Sequence, residues 1–281
     1  MTEIYTYRNF AYLDTNILSY LAKKVRDKEW SEAKRFRSYL LDQDLTIAIS
    51  EAHMLELSEA DKLHEPLALL LVMLPSALIK SREMIVAEEV DAHPSPYTGS
   101  IVAQRINPLL LEPNGITILK RSLFSKSHVT EARNKQQKRA RELPQEHQQL
   151  KSNYPTARNG KYVKEQAKEF ANFMVMQILA GLHREFLLQF KDDISQLKFE
   201  NFRGIRLRSM ALFYKYYLGN RKPKSTSELG DFGHLLYIPY CQLAIMEKDI
   251  CNVLKQIQKS QDVISETEVQ NISFLRELVE D

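Results

Sequence analysis

The chain has 281 residues, 44% of them apolar, with 39 Lys and Arg against 36 Asp and Glu and a formal net charge of +3. That composition supports a sizeable core in one large or two modest domains, and two cysteines, Cys241 and Cys251, exclude a disulfide framework. The longest apolar run, Pro66 to Pro75, falls far short of the ~20 residues of a spanning helix, and the opening carries no leader pattern, so a soluble cytoplasmic protein without membrane contact is expected.

In chain order, "FAYLD" reads as a short buried strand ending in Asp14. Ile17, Leu18, Leu21, Ala22 and Val25 then recur at helical spacing, and Trp30, Ala33, Phe36, Leu40 and Leu41 mark a second amphipathic helix. "LTIAIS" is a second strand, and "EAHMLELSEADKL" returns to helix with Ser50 at its N-cap. Strand, helix, helix, strand, helix predicts an α/β fold with a parallel sheet.

The middle differs in composition. "SREMIVAEEVD" is helical, "GITIL" is a strand or an extended connection, and Ser122 to Gly160 is polar with little apolar periodicity. Val163, Ala167, Phe170, Met174, Ile178, Leu182 and Phe186 mark a long amphipathic helix, and "RLRSMALFYKYYLGN" another. Between Ile116 and Gly230 stand 23 Lys and Arg against 10 Asp and Glu, which leaves 16 against 26 for the rest of the chain. Such asymmetry is either a polyanion-facing segment on an acidic body or a solvated helical surface. Residues 85–225 are therefore expected as a mostly helical basic insertion packed on an α/β core formed by 1–84 and 226–281.

Late in the chain, "DFGHLLYIPYC" reads as a helix opening at Asp231, and "QLAIM" as a buried strand delivering Glu247 and Asp249 to the start of the helix "ICNVLKQI". The last stretch, "DVISETEVQNISFLRELVED", holds a final strand and helix or a docking surface. Acids at the carboxyl ends of parallel strands stand where ligands bind such sheets. Asp14, Glu56, Asp231 and Asp249 would then meet in one cleft, with Asn16, Ser50 and Glu247 in support. Clustered carboxylates repel unless a cation neutralises them, and hard oxygen donors suit Mg²⁺ or Mn²⁺, which activate water for phosphodiester hydrolysis. Each acid has a plainer reading: Asp14, Asp231 and Asp249 as helix caps, Glu56 as a surface glutamate.

The segments "AYLDTNILSYL", "TIAISEAHMLELSEA" and "DFGHLLYIPYCQLAIMEKD" resemble the signature segments of PIN-like domains, a metal-dependent nuclease fold. The resemblance covers roughly residues 8–62 and 226–260. It implies a PIN-like parallel-sheet core flanked by helices, with Asp14, Glu56, Asp231 and Asp249 as metal ligands and catalytic groups. The family often carries Thr-Asp or Ser-Asp after the last strand, where this chain has "MEKD", so Glu247 and Asp249 compete for one role. The family also implies RNA as substrate more often than structure-specific DNA. A toxin, an anti-phage effector or a processing enzyme fits it; a free nuclease would need restraint by an inhibitory or regulatory protein partner, a narrow substrate preference or low metal affinity, and a homo-oligomer is left open.

For nucleic-acid contact the sequence offers Lys135, Lys138, Arg139, Arg141, Arg206 and Arg208 as phosphate-binding groups. Tyr214, Tyr216 and Tyr217 either stack on unpaired bases or belong to the helices' own core. Arg141 and His147 have an R-x5-H spacing, but Pro144 breaks the helix it needs. No histidine pairs with a cysteine at zinc spacing; His53, His64 and His234 read as packed or surface residues, and no glycine-rich phosphate loop occurs. The remaining reading of a different class is a non-catalytic RNA-binding scaffold on the same fold.

Overall fold

In strand β1 (Asn9–Leu13), Phe10, Ala11, Tyr12 and Leu13 are all buried. A strand apolar on both faces belongs at the centre of a parallel sheet covered on both sides. The computed structural model describes residues 9–57, 61–93, 163–218 and 232–278, with the isolated positions Thr130 and Asn134. β1 pairs in parallel with β2 (Leu45–Ile49) on one side and β4 (Leu243–Met246) on the other, in the registers Ala11↔Ile47 and Leu13↔Ile245. With β3 (Ser76–Leu78) beyond β2 and β5 (Glu268–Asn271) beyond β4, the sheet runs β3-β2-β1-β4-β5, all parallel. The α/β expectation holds.

The strand period of two divides the core. Ala11 and Leu13 join Ile47, Ile49, Leu243 and Ile245 beneath α1 (Thr15–Arg26), α2 (Ser31–Asp42), α4 (His64–Met73) and α10 (Ser273–Glu277). Phe10 and Tyr12 join Ala48, Ala77, Ala244 and Met246 on the opposite face, beneath α5 (Arg82–Asp91), α6 (Val163–Leu182), α8 (Arg203–Leu212) and α9 (Lys248–Ser260). Two short helices, α3 (Glu51–Leu57) and α7 (Arg184–Leu188), complete the series. The crossover from β1 to β2 thus runs over one face and that from β4 to β5 over the other. The chain direction across the sheet reverses between β1 and β4, which makes that gap the switch point of the fold.

α1 shows how the sequence dictates its element. Ile17, Leu18, Leu21, Ala22 and Val25 make one buried stripe, each large side chain contributing roughly 1.5–3 kcal/mol by burial. Lys23, Lys24 and Arg26 sit in the last turn, where cations complement the helix dipole, and Lys28 beyond it takes a left-handed φ of 63°. The segment expected as an insertion supplies the second covering layer: Phe170, Val175, Leu179, Ile205 and Met210 share one cluster with Phe10 and Tyr12. "GITIL" and Ser122 to Gly160 lie outside the described residues, Thr130 and Asn134 excepted. The expected helix over "DFGHLLYIPYC" is shorter: Phe232–His234 form one turn and Ile238–Tyr240 a 3₁₀ turn, in keeping with Pro239, which lacks a donor. No helix among the described residues is long and apolar enough to cross a membrane.

Behind this layer Glu89 of α5 is wholly buried. Its Oε1 accepts from the Gly204 amide at 2.8 Å and from the Tyr240 hydroxyl, while Oε2 is buried without a partner among the described residues. A Cβ at position 204 would stand 2.6 Å from the Leu236 carbonyl oxygen and 3.3 Å from Glu89 Oε1, so the close approach of α8 requires glycine. Burial pushes the Glu89 carboxyl up to about 7, against the hydrogen bonds from Tyr240 and Gly204. An unfolded carboxyl titrates near 4.5, so protonation of Glu89 stabilises the fold fully below that pH, and the contribution is lost as pH rises through 7. Glu89→Gln, with the shape of the protonated acid, is expected to exceed the wild type by about 2–3 kcal/mol at pH 8 and to match it at pH 4. Urea midpoints at the two pH values check this; an equal offset at both contradicts it.

Candidate active site

β1 and β4 each end in an acid. The Asp14 amide donates to the Ile245 carbonyl at 2.9 Å, which carries the ladder to the last residue before the helices begin and sets Asp14 beside the end of β4. Asp14 (φ −59°, ψ 149°) and Glu247 (φ −56°, ψ 150°) adopt the same backbone conformation, and each is the N-cap residue of the helix that follows. Matching local geometry on adjacent parallel strands sets both acids beside Asn16 at the switch point, near enough for the Asp14 charge to act on Glu247. Asp14 does cap α1: its Oδ1 accepts from the Asn16 amide at 3.0 Å. The cap uses one oxygen, and Oδ2 accepts no hydrogen bond among the described residues.

Asn16 joins the two acids, since its Nδ2 donates to Glu247 Oε1 while its backbone amide serves Asp14. Glu247 is exposed at the surface; partial desolvation and the nearby Asp14 charge push its carboxyl above the ordinary range, against the Asn16 hydrogen bond and the Lys215 charge. Of the two acids left open by the sequence, Glu247 faces Asp14. Asp249 lies on the exposed first turn of α9, close enough for its charge to act on Glu247.

Glu56 is held differently. Its Oε1 lies 3.3 Å from Nε2 of the buried His234, and Thr15 also hydrogen-bonds to it. Burial opposes its ionisation, but the His234 and Thr15 hydrogen bonds win, and the carboxyl lies below its usual range. Behind it runs a buried polar chain. His234 Nδ1 is 2.6 Å from the Tyr12 hydroxyl, which is 2.6 Å from Ser50 Oγ, itself 3.1 Å from His53 Nδ1. The His53 Nε2–H donates to the Leu13 carbonyl, so Nδ1 is left to accept the Ser50 amide at 3.0 Å and the ring is neutral. Burial and the neighbouring His234 lower its pKa to about 3. The chain connects all three sequence segments that carried the candidate acids. It also changes the part of Ser50: beyond preceding α3, it bridges Tyr12 and His53.

The remaining candidates divide. Asp231, Lys135, Lys138, Arg139 and Arg141 lie outside the described residues, as does His147, and so does the side chain of Tyr217. Arg206, a candidate phosphate contact, is 8% exposed, burial lowers its pKa, and its Nε is buried without a partner among the described residues. Arg208 is partly buried on the same helix. Of the two readings open for Tyr214 and Tyr216, base stacking or core, the second holds: Tyr214 hydrogen-bonds Ser260 Oγ at 2.8 Å, and Tyr216 packs on Phe232. Sequence reasoning missed Lys215, which stands between those tyrosines and is buried with them. Among the described residues no three metal-ligating side chains form a single group. No family model, curated protein or solved structure matches the chain.

Proposed function

We propose that this chain is a divalent-metal-dependent endoribonuclease acting at the carboxyl ends of β1 and β4. The observation that carries the reading is the convergence of Asp14 and Glu247 at the switch point of the sheet, with no ammonium or guanidinium in ion-pair contact with either among the described residues. Two like charges so placed favour a cation between them. The donor set fits Mg²⁺ or Mn²⁺, which bind through one or two carboxylates, keep several waters and take up phosphate oxygens. Asp14 and Glu247 would hold the ion, joined in the sequence pattern by Asp231. When bound, the metal supplies an activated water and stabilises charge developing on the phosphate.

The chain's own residues do the rest. Asn16 fixes the spacing of the two carboxylates, and His234 with Thr15 orients Glu56 at the margin of the same cleft. RNA rather than DNA is favoured by the PIN-like resemblance of the three segments. Mn²⁺ at about 100-fold its dissociation constant is expected to stabilise the wild type by about 2.7 kcal/mol, read as a rise in Tm. A panel of labelled RNAs and single-stranded DNAs incubated with Mg²⁺ or Mn²⁺ identifies the substrate. Cleavage of DNA alone moves the substrate class; RNA binding with neither cleavage nor a metal shift replaces the enzyme with an RNA-holding scaffold.

A further inference from the structure

We infer that Lys215 is a phosphate-binding residue of the cleft, a reading that rests on the proposed nuclease site and adds a substrate contact to it. Lys215 lies in the π-helical turn Phe213–Leu218 that continues α8. Such turns interrupt helices mostly where function requires it. Phe213, Tyr214, Lys215 and Tyr216 are buried in succession, which a helix with one solvent face does not do.

The lysine side chain is 7% exposed, and its ammonium stands 5.3 Å from the Phe232 ring centre and 5.9 Å from that of Tyr216. Its charge reaches Glu247, yet no carboxylate lies in ion-pair contact with it and no acceptor takes its hydrogens among the described residues. Two aromatic faces attract a cation but accept none of its three strong hydrogen bonds. α8 and the Phe232 turn hold the lysine beside two rings, with its ammonium left without an acceptor among the described residues. Phe232 is two residues from His234, so the cation stands beside the turn that holds the partner of Glu56. A phosphodiester whose oxygens met a metal at Asp14 and Glu247 would place a further anionic oxygen toward Lys215. Lysine suits this task as a compact charge with three rotatable donors.

The test uses the full chain as wild type, Lys215→Met and Lys215→Arg, without metal. Thermal unfolding is followed in chloride and in inorganic phosphate at equal ionic strength, and binding of a fluorescent RNA oligonucleotide is followed against salt. Lys215→Met is expected to melt at or above the wild-type temperature in chloride, because an unbranched apolar side chain suits a residue buried beside two rings, and to lose the stabilisation that phosphate gives the wild type. Its RNA affinity is expected to fall about tenfold, with the slope of log K against log salt smaller by about 0.7, and Lys215→Arg to restore most of both. A Lys215→Met protein that melts lower, keeps the phosphate effect and binds RNA with an unchanged slope makes Lys215 a packing residue and overturns the inference. A wild type stabilised by phosphate through Lys215 but unable to bind or cut RNA or single-stranded DNA keeps the anion site and removes the nuclease reading.

Discussion

Asp14→Asn is expected to lower RNA cleavage at saturating metal by on the order of 10²–10³ while leaving the fold intact. The two halves of that expectation come from different oxygens of one side chain. Oδ1 accepts from the Asn16 amide and caps α1, a task asparagine performs as well as aspartate. What the substitution removes is the negative charge beside Glu247. Without metal, the variant should therefore be as stable as the wild type or slightly more so, since one like-charge repulsion is gone. With Mn²⁺, the wild type should gain stability and the variant should not. Glu247→Gln should behave alike, whereas Asp249→Asn, altering an exposed residue of the first turn of α9, should lose far less activity. Folded Asp14→Asn and Glu247→Gln proteins that cut at the wild-type rate would sink the assignment of the site.

Acid should unfold the protein through His53. The neutral ring is fixed by donation to the Leu13 carbonyl and acceptance from the Ser50 amide, with its pKa depressed to about 3 from an ordinary 6.5. In the unfolded chain the imidazole takes a proton near 6.5, so the stabilisation is fully present above that pH and drains away as pH falls toward 3. At about 1.4 kcal/mol per unit, the loss across this window is on the order of 4 kcal/mol, a large part of the stability of an ordinary domain. His53→Gln preserves an acceptor and a donor in nearly the same places and cannot titrate. It is expected to be less stable than the wild type at pH 7.5, where its packing is imperfect, and to close or reverse that gap by pH 4.5. Denaturant midpoints of the two proteins that stay parallel between pH 7.5 and 4.5 would remove His53 as the source. Glu89 acts in the opposite sense across higher pH, gaining stability on acidification from 7 to 4.5, which is why the comparison with a His53 variant isolates the effect.

What the sequence revealed of this arrangement, and what it concealed, follows from the range of the interactions. "FAYLD" and "QLAIM" were readable as buried strands because each is an uninterrupted apolar run closed by acids. The meeting of Asp14 with Glu247 rather than Asp249 was not, because both later acids fall at the start of one helix and only the register Leu13↔Ile245 separates them. β3 has three residues, too few to display a period of two. The aromatic and basic stretch around Lys215 left base stacking and core packing open; the π turn and the second core layer bury Tyr214 and Tyr216. The Tyr12–Ser50–His53 chain was hidden for the simplest reason: each member looks like an ordinary core or cap residue until three distant segments are folded together.

The central position of β1 has a consequence for synthesis. Its first neighbour, β2, follows within about 40 residues, but its second arrives only with β4; the Phe10 amide bonds to Gln242 across 232 positions and Asn16 to Glu247 across 231. At translation rates of roughly 5–20 residues per second, one edge of β1 waits on the order of ten to fifty seconds for its partner. During that interval the ribosome-bound chain has half a sheet, an open hydrogen-bonding edge and a solitary Asp14. A product truncated anywhere between residues 57 and 242 would retain Asp14, Asn16 and Glu56 and yet lack β4 and Glu247. The order of the strands thus keeps the proposed site unassembled until β4 has been made, and leaves the nascent edge in need of shielding while it waits.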